Sequence, residues 1–130
     1  MGALILDASV LIGLLDTADA HHASAVDDTE AADLAGQELL TPASAYSEAL
    51  VAFARASRVH EAREAIAAMG VNVTPLTAAI AEHAADLRAR NERLRLPDAI
   101  VLATARELRG ELLSYDHRLA KLARKHSSDE

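Results

Sequence analysis

The chain has 130 residues and a formal charge of −7, with no cysteine, no tryptophan and only three aromatic residues. This length predicts one domain, and the absence of cysteine excludes disulfide scaffolds, thiolate zinc sites and a cysteine nucleophile. No apolar run approaches the ~20 residues of a membrane helix and no basic signal-peptide start is present, so we expect a cytoplasmic protein. The negative charge argues at first against nucleic acid, because domains that bind phosphate are usually basic.

Short apolar segments alternate with longer helical segments along the chain. In chain order the pattern predicts a strand at 3–6, helices at 8–15 and 18–35, a strand at 38–40, helices at 42–57 and 59–69, a strand at 71–74, helices at 77–93 and 97–110, a strand around 112–113 and a helix at 117–125. Thr41 is expected to cap the third helix, with Pro42 in its first turn. The buried stripe of that helix is predicted to be Tyr46, Leu50 and Phe53, beside a face of alanines.

This alternation of short strands and helices predicts a parallel sheet with helices on both of its faces. We therefore expect one α/β domain over residues 1–125, followed by a frayed polar tail at 126–130. Ligands of such sheets bind beyond the carboxyl ends of the strands. Residues at those ends are accordingly the candidates for a functional site.

Four carboxylates stand out by their positions in this pattern. Asp7 and Asp116 each follow a predicted strand, Asp98 lies in the first turn of the helix begun by Pro97, and Glu48 lies among small and apolar residues. Singly, each has a structural explanation, because an aspartate can cap a helix or pair with its dipole, and Glu48 could be surface charge. Carboxylates that converge repel one another unless a cation lies between them, and Mg²⁺ suits that role better than arginine because it takes oxygen ligands.

Around these acids the chain resembles the PIN-domain ribonucleases, and among them the VapC-type toxins of bacterial toxin–antitoxin modules. The resemblance extends from Leu4 to about Leu122 and rests on four motifs in order. They are LDASVLI with Asp7, SAYSEALVA with Glu48, LRLPDAIVLATA with Asp98 and LLSYDHRLAKLA with Asp116. Ser9 and Ser114 stand where the family commonly has a threonine or serine that supports the metal site.

The resemblance implies a three-layer α/β/α PIN domain with a short central parallel sheet of four or five strands. The end of this chain lacks the apolar run that would form the family's fifth strand. The resemblance also implies a catalytic role for the four acids, which would hold one or two Mg²⁺ or Mn²⁺ ions. Its implied activity is cleavage of structured RNA (tRNA or rRNA) by a metal-activated water. Its implied partners are a VapB-type antitoxin that occludes the site and a second copy of the chain in a homodimer.

Two basic clusters flank the acidic motifs and could contact RNA phosphates. One precedes Asp98 and the other follows Asp116; their members are Arg88, Arg90, Arg93 and Arg95, and Arg118, Lys121, Arg124 and Lys125. The alternative is that these side chains lie on solvated helix faces or pair with helix dipoles, and for the individual residues this is the preferred interpretation.

Two other functions remain open at this point. A non-catalytic PIN-like module could keep the fold without cleaving RNA, although the presence of all four acids weighs against it. A receiver domain would need an acidic pair after the first strand and a late lysine, but Ala8 follows Asp7, and Ser114 and Tyr115 occupy the later position. If the four acids belong to a metal site, the formal charge of the rest of the chain is −3 rather than −7. The negative charge of the chain therefore does not exclude RNA.

Overall fold

A computed structural model describes residues 2–128 of the chain, with side chains through residue 125. The strands in this part of the chain are β1 (Ala3–Leu6), β2 (Glu38–Pro42), β3 (Val71–Thr74) and β4 (Glu111–Leu113). The helices are α1 (Ala8–Leu15), α2 (His22–Leu34), α3 (Ala43–Arg55), α4 (Val59–Ala68), α5 (Ala78–Arg90), α6 (Leu96–Glu107) and α7 (His117–Ser128). Their order along the chain is the predicted one.

The strands form one parallel sheet in the order β3-β2-β1-β4. The chain proceeds from β1 outward through β2 to β3, and then returns to the other side of β1, where Leu6 lies opposite Leu113. Because crossovers between parallel strands are right-handed, this reversal sends α1–α4 to one face of the sheet and α5 and α6 to the other. The three-layer α/β/α fold is thus confirmed, with no fifth strand within residues 2–128.

Two apolar clusters fill the space on the two sides of the sheet. One joins Leu4, Leu6 and Val71 to the helices that precede β3, and the other joins α5, α6 and α7 through residues such as Leu102 and Leu119. Strand β4 contributes to both, since successive strand residues point to opposite faces. The scarcity of aromatic residues is met by alanine, whose small side chain lets helices approach the sheet closely.

The start of α3 differs from the prediction in two respects. Strand β2 continues through Pro42, so the helix begins only at Ala43. Thr41 does not cap it: its hydroxyl donates instead to the backbone oxygen of Leu6, at 2.8 Å. The buried side chain of Thr41 therefore connects β2 to the end of β1.

The predicted buried stripe of α3 was also wrong. Tyr46, Leu50 and Phe53 are only partly buried, whereas Ala45 and Ala49 are 1% and 2% exposed. The small side chains allow α3 to lie so close to the sheet that the larger ones are displaced to its flanks.

The second helix begins four residues later than predicted. Asp16 and Asp19 each accept a hydrogen bond from the backbone NH two residues further on, at 2.9 and 3.0 Å. Such side-chain turns compete with helix formation, so α2 starts at His22.

The end of the chain lies partly outside the described residues. Helix α7 continues to Ser128, and the rest of the tail predicted for residues 126–130 falls beyond the part that the structure describes. Within the described residues, none of the helices has the length and apolar character that crossing a bilayer requires.

Candidate functional site

The reversal of the winding direction between β1 and β4 opens the sheet at its carboxyl edge, which is where ligands bind in open parallel sheets. Asp7 directly follows β1, and its backbone NH donates to Leu113 at the end of β4, at 3.4 Å. Helix α6 ends where β4 begins, at the amino edge of the sheet. Its first turn, with Asp98, therefore lies at the carboxyl edge, as Asp7 does. The fold therefore brings three of the four predicted acids, Asp7, Asp98 and Asp116, to one end of the sheet.

Asp7 is the most deeply buried of these acids, with 5% of its surface exposed. Its Oδ1 accepts hydrogen bonds from the Ser9 hydroxyl at 2.6 Å and from the Val10 backbone NH at 3.2 Å. Its Oδ2 accepts one from the Ser114 hydroxyl at 2.5 Å. Asp7 is thus the cap of α1, as its structural explanation requires. A carboxylate has about four acceptor positions, so one on Oδ2 remains for a further ligand.

The two serines connect Asp7 to the loop between β4 and α7. Each hydroxyl donates to Asp7 and accepts a backbone NH from that loop: Ser9 accepts from Tyr115 at 2.9 Å, and Ser114 accepts from Asp116 at 3.0 Å. The serines therefore orient the Asp7 carboxylate and hold the segment that carries Asp116 beside it.

Asp116 combines a capping role with an open carboxylate oxygen. Its Oδ1 accepts from the backbone NH groups of Arg118 and Leu119, at 3.0 and 3.3 Å, and so caps α7. Its Oδ2 accepts no hydrogen bond from any of the described residues and remains available at the site. Capping and participation in a site are therefore compatible for both Asp7 and Asp116.

Asp98 shows that these acids act on one another electrostatically. Partial burial raises the pKa of its carboxyl group, and the nearby charges of Asp116 and Asp7 raise it further. Arg95 opposes this rise, although its Nε lies 3.7 Å from Oδ2 of Asp98 and the arginine side chain is 72% exposed. The three aspartates thus form a region of negative charge, and among the described arginines Arg95 forms a long, exposed ion pair with one of them.

Glu48 lies on α3, which begins directly after the carboxyl end of β2. Its side chain is exposed and lines a cavity of about 560 Å³ between α1 and α3, together with Ile12, Ala52 and Arg55. It is not among the charges that shift the pKa of Asp98. The structure brings Asp7, Asp98 and Asp116 to one edge of the sheet, and Glu48 lines the cavity between α1 and α3.

The chemistry of the three aspartates fits a hard divalent cation. Within residues 2–128, no group of three or more histidine, cysteine, aspartate or glutamate side chains is close enough to enclose a metal ion. Mg²⁺, however, keeps several waters and commonly binds through one or two carboxylates together with substrate phosphates. The free positions on Asp7 and Asp116, and the burial and nearby negative charges that raise the pKa of Asp98, suit an ion held in this open manner.

Tyr115 is a supporting residue that the sequence pattern did not single out. Its ring stacks on His21 with centroids 4.8 Å apart, and its hydroxyl donates to Asp28 of α2 at 2.7 Å. Burial and this hydrogen bond raise the pKa of Tyr115 well above its ordinary value. Its position between Ser114 and Asp116 was the available signal, because any side chain there must leave the site and contact a neighbouring element.

Comparison with known proteins identifies the family to which this chain belongs. The model of the PIN domain family matches residues 4–125. The chain therefore belongs to the PIN domain family, and the resemblance noted from its four motifs is confirmed.

Two solved structures are similar to the chain. A toxin–antitoxin complex from Klebsiella pneumoniae contains a chain with 26% identity and a TM-score of 0.72, and the match covers 88% of this chain and 87% of that one. VapC20 of Mycobacterium tuberculosis, described as a sarcin-ricin loop cleaving toxin, has 20% identity and a TM-score of 0.71, with 92% and 95% covered. No curated protein sequence matches the chain.

Proposed function

We propose that this protein is a metal-dependent endoribonuclease that acts as the toxin of a type II toxin–antitoxin system. The observation that carries the proposal is the convergence of Asp7, Asp98 and Asp116 at the carboxyl edge of a PIN-family sheet, where Ser114 connects Asp7 to the Asp116 loop and Asp98 and Asp116 line one cavity. The similarity to a toxin–antitoxin complex at 26% identity supports the biological role, and the description of the VapC20 neighbour supports structured RNA as the substrate class.

In this proposal Asp7, Glu48, Asp98 and Asp116 would hold one or two Mg²⁺ or Mn²⁺ ions, some of them through water. When bound, the metal supplies a nucleophilic water near neutral pH and neutralises charge that develops on the phosphate oxygens. Asp7 is held in one orientation by Ser9 and Ser114, so its free lone pair points consistently to the ligand position. No side chain of the site needs to act as a covalent nucleophile.

The partners belong to the same proposal. A toxin of this kind requires a VapB-type antitoxin that covers the acidic site, and a basic segment of the antitoxin would suit the charge found there. We further propose a homodimer that acts on cellular RNA in the cytoplasm. The catalytic unit is residues 1–125.

The function is tested by replacing Asp98 with asparagine, which keeps the shape of the side chain but removes its charge. Purified Asp98→Asn is expected to cleave total cellular RNA in Mg²⁺ or Mn²⁺ at least about 100-fold more slowly than the wild type, because the developing negative charge loses its counterion. The matched control is Asp33→Asn, an exposed acid on α2, which should retain the wild-type rate. Equal rates for Asp98→Asn and the wild type, with circular dichroism showing both folded, would contradict the proposal.

A non-catalytic PIN-like module is the second candidate, favoured by the absence of an enclosed three-ligand group in the described residues. Isothermal titration with Mn²⁺ separates the two functions. The nuclease should bind the ion, and the double variant Asp7→Asn, Asp98→Asn should not. A wild-type protein that neither binds Mn²⁺ nor cleaves RNA would favour the binding module.

A further inference from the structure

A second feature of the carboxyl edge is a cavity of about 300 Å³ directly beside the aspartates. The loop between α5 and α6 forms one side of it, and the first turn of α6 and the start of α7 form the other. Its charged lining consists of Arg93, Arg95, Arg118, Asp98 and Asp116. Three arginines therefore share one concave surface with two of the proposed metal-binding acids.

The early end of α5 creates this arrangement. The sequence pattern extended the helix to residue 93, but α5 ends at Arg90, where the Asn91 side chain bonds back to the Leu87 carbonyl group at 2.9 Å. Arg93 consequently lies in a loop, and its backbone oxygen accepts a hydrogen bond from the Arg118 guanidinium at 3.4 Å. The two arginines thus come from distant parts of the chain and meet at the cavity.

These arginines form few direct ion pairs in the part of the chain that the structure describes. Among the described residues, neither Arg93 nor Arg118 forms an ion pair with a carboxylate, and the pair of Arg95 with Asp98 is long and exposed. Exposed ion pairs of this kind contribute little stability. The stability of the fold therefore does not explain why three arginines lie together. The other members of the two basic clusters, including Arg88 and Arg124, do not line the cavity.

We propose that Arg93, Arg95 and Arg118 bind the phosphodiester backbone of RNA next to the bond that is cleaved, an inference that rests on the proposed ribonuclease activity. A strand whose scissile phosphate lies at the aspartates must place its neighbouring phosphate within one nucleotide of them. The arginine cavity occupies such a position. Guanidinium groups bind phosphate oxygens through paired hydrogen bonds, which positions the strand without reading its sequence.

An acidic protein segment is the other ligand that three arginines could attract. RNA is favoured because the same cavity contains Asp98 and Asp116, to which the substrate phosphate must come in any case. An acidic peptide has no corresponding reason to approach two aspartates.

The test compares single Arg93→Gln and Arg118→Gln variants with Arg124→Gln. Arg124 is an exposed arginine on the same helix as Arg118 that lies outside the cavity, so the control removes the same charge. Cleavage of a fluorescein-labelled RNA hairpin in Mg²⁺ gives KM and kcat. Binding of the same hairpin in EDTA, at several NaCl concentrations, gives the salt dependence of affinity.

Each cavity variant should raise KM roughly fivefold with kcat within about twofold of the wild type, because a positioning contact is lost rather than a catalytic one. The slope of log affinity against log salt should fall by about 0.7 for each phosphate contact removed, and Arg124→Gln should match the wild type in both measurements. An unchanged KM and salt slope in Arg93→Gln and Arg118→Gln would overturn the inference while leaving an active ribonuclease. A wild-type protein that cleaves no RNA would instead overturn the proposed function, and this inference with it.

Discussion

The orientation of the Asp7 carboxylate depends on two hydroxyl groups. One belongs to Ser9 in the first turn of α1, and the other to Ser114, which follows β4. Ser9 and Ser114 approach its two oxygens separately, so rotation of the carboxylate would break at least one hydrogen bond. Such supporting hydrogen bonds commonly change metal affinity or activity by 10- to 100-fold when they are removed. At this scale the hydroxyl, rather than the serine as such, is the functional group.

This account predicts different outcomes for two substitutions of Ser114. Ser114→Ala should lower the rate of RNA cleavage at least about tenfold, because Oδ2 of Asp7 loses its donor. Ser114→Thr keeps the hydroxyl and should retain most of the activity. Cleavage rates of the two variants measured at saturating Mg²⁺ test this prediction. An alanine variant as active as the threonine variant would show that the Ser114 hydroxyl only stabilises the loop between β4 and α7.

The three aspartates could be identified from the sequence because each lies at a recognisable strand end or helix start, and Glu48 because its neighbours are small and apolar. Their mutual arrangement was less accessible, since it depends on the order of strands in the sheet. Glu48 illustrates the limit: its motif was clear in the sequence, yet its side chain faces the cavity beside Ile12 and Arg55. The orientation of an exposed side chain on a helix depends on packing angles that a motif does not encode.

At the scale of whole elements, the strands were more predictable than the helix faces. Apolar and β-branched runs predicted β1 and β3 with their observed bounds. The third helix was misjudged because hydrophobic size was taken to determine burial, whereas close packing against the sheet selected Ala45 and Ala49. The late start of α2 and the early end of α5 both followed from local side-chain hydrogen bonds, at Asp19 and Asn91.

The contact of Tyr115 with α2 connects a helix on one face of the sheet to the loop that carries Asp116. Tyr115→Phe keeps the stacking on His21 but removes the hydrogen bond to Asp28, and should lower the free energy of unfolding by about 1 kcal/mol. Tyr46→Phe is the matched control: the Tyr46 hydroxyl makes no hydrogen bond within the described residues, and its loss should change stability by less than about 0.5 kcal/mol. Urea denaturation measures both, and equal stabilities of the two variants would mean that Asp28 does not hold the loop.

For the molecule as a whole, the sheet order explains how so acidic a protein could act on RNA, as proposed. The reversal between β1 and β4 collects carboxylates at one edge, and the same edge receives the arginines of the α5–α6 loop and of α7. The net charge of −7 therefore describes the chain poorly, because opposite charges are concentrated side by side where a metal and a phosphate backbone would meet. In the proposed mechanism, phosphate would be bound through a cation held by the acids and through a small basic cavity, rather than through a broadly basic face.

The most direct test of this account is the rate of RNA cleavage by the wild-type protein after EDTA treatment and again during titration with Mg²⁺ or Mn²⁺. We predict no cleavage in EDTA, recovery as either ion is added, and products that carry 5′-phosphate and 3′-hydroxyl ends, because water attacks the phosphorus and the 3′-oxygen leaves in the proposed reaction. Cleavage at the full rate in EDTA, or products that end in a 2′,3′-cyclic phosphate, would contradict a metal-dependent site built on Asp7, Asp98 and Asp116.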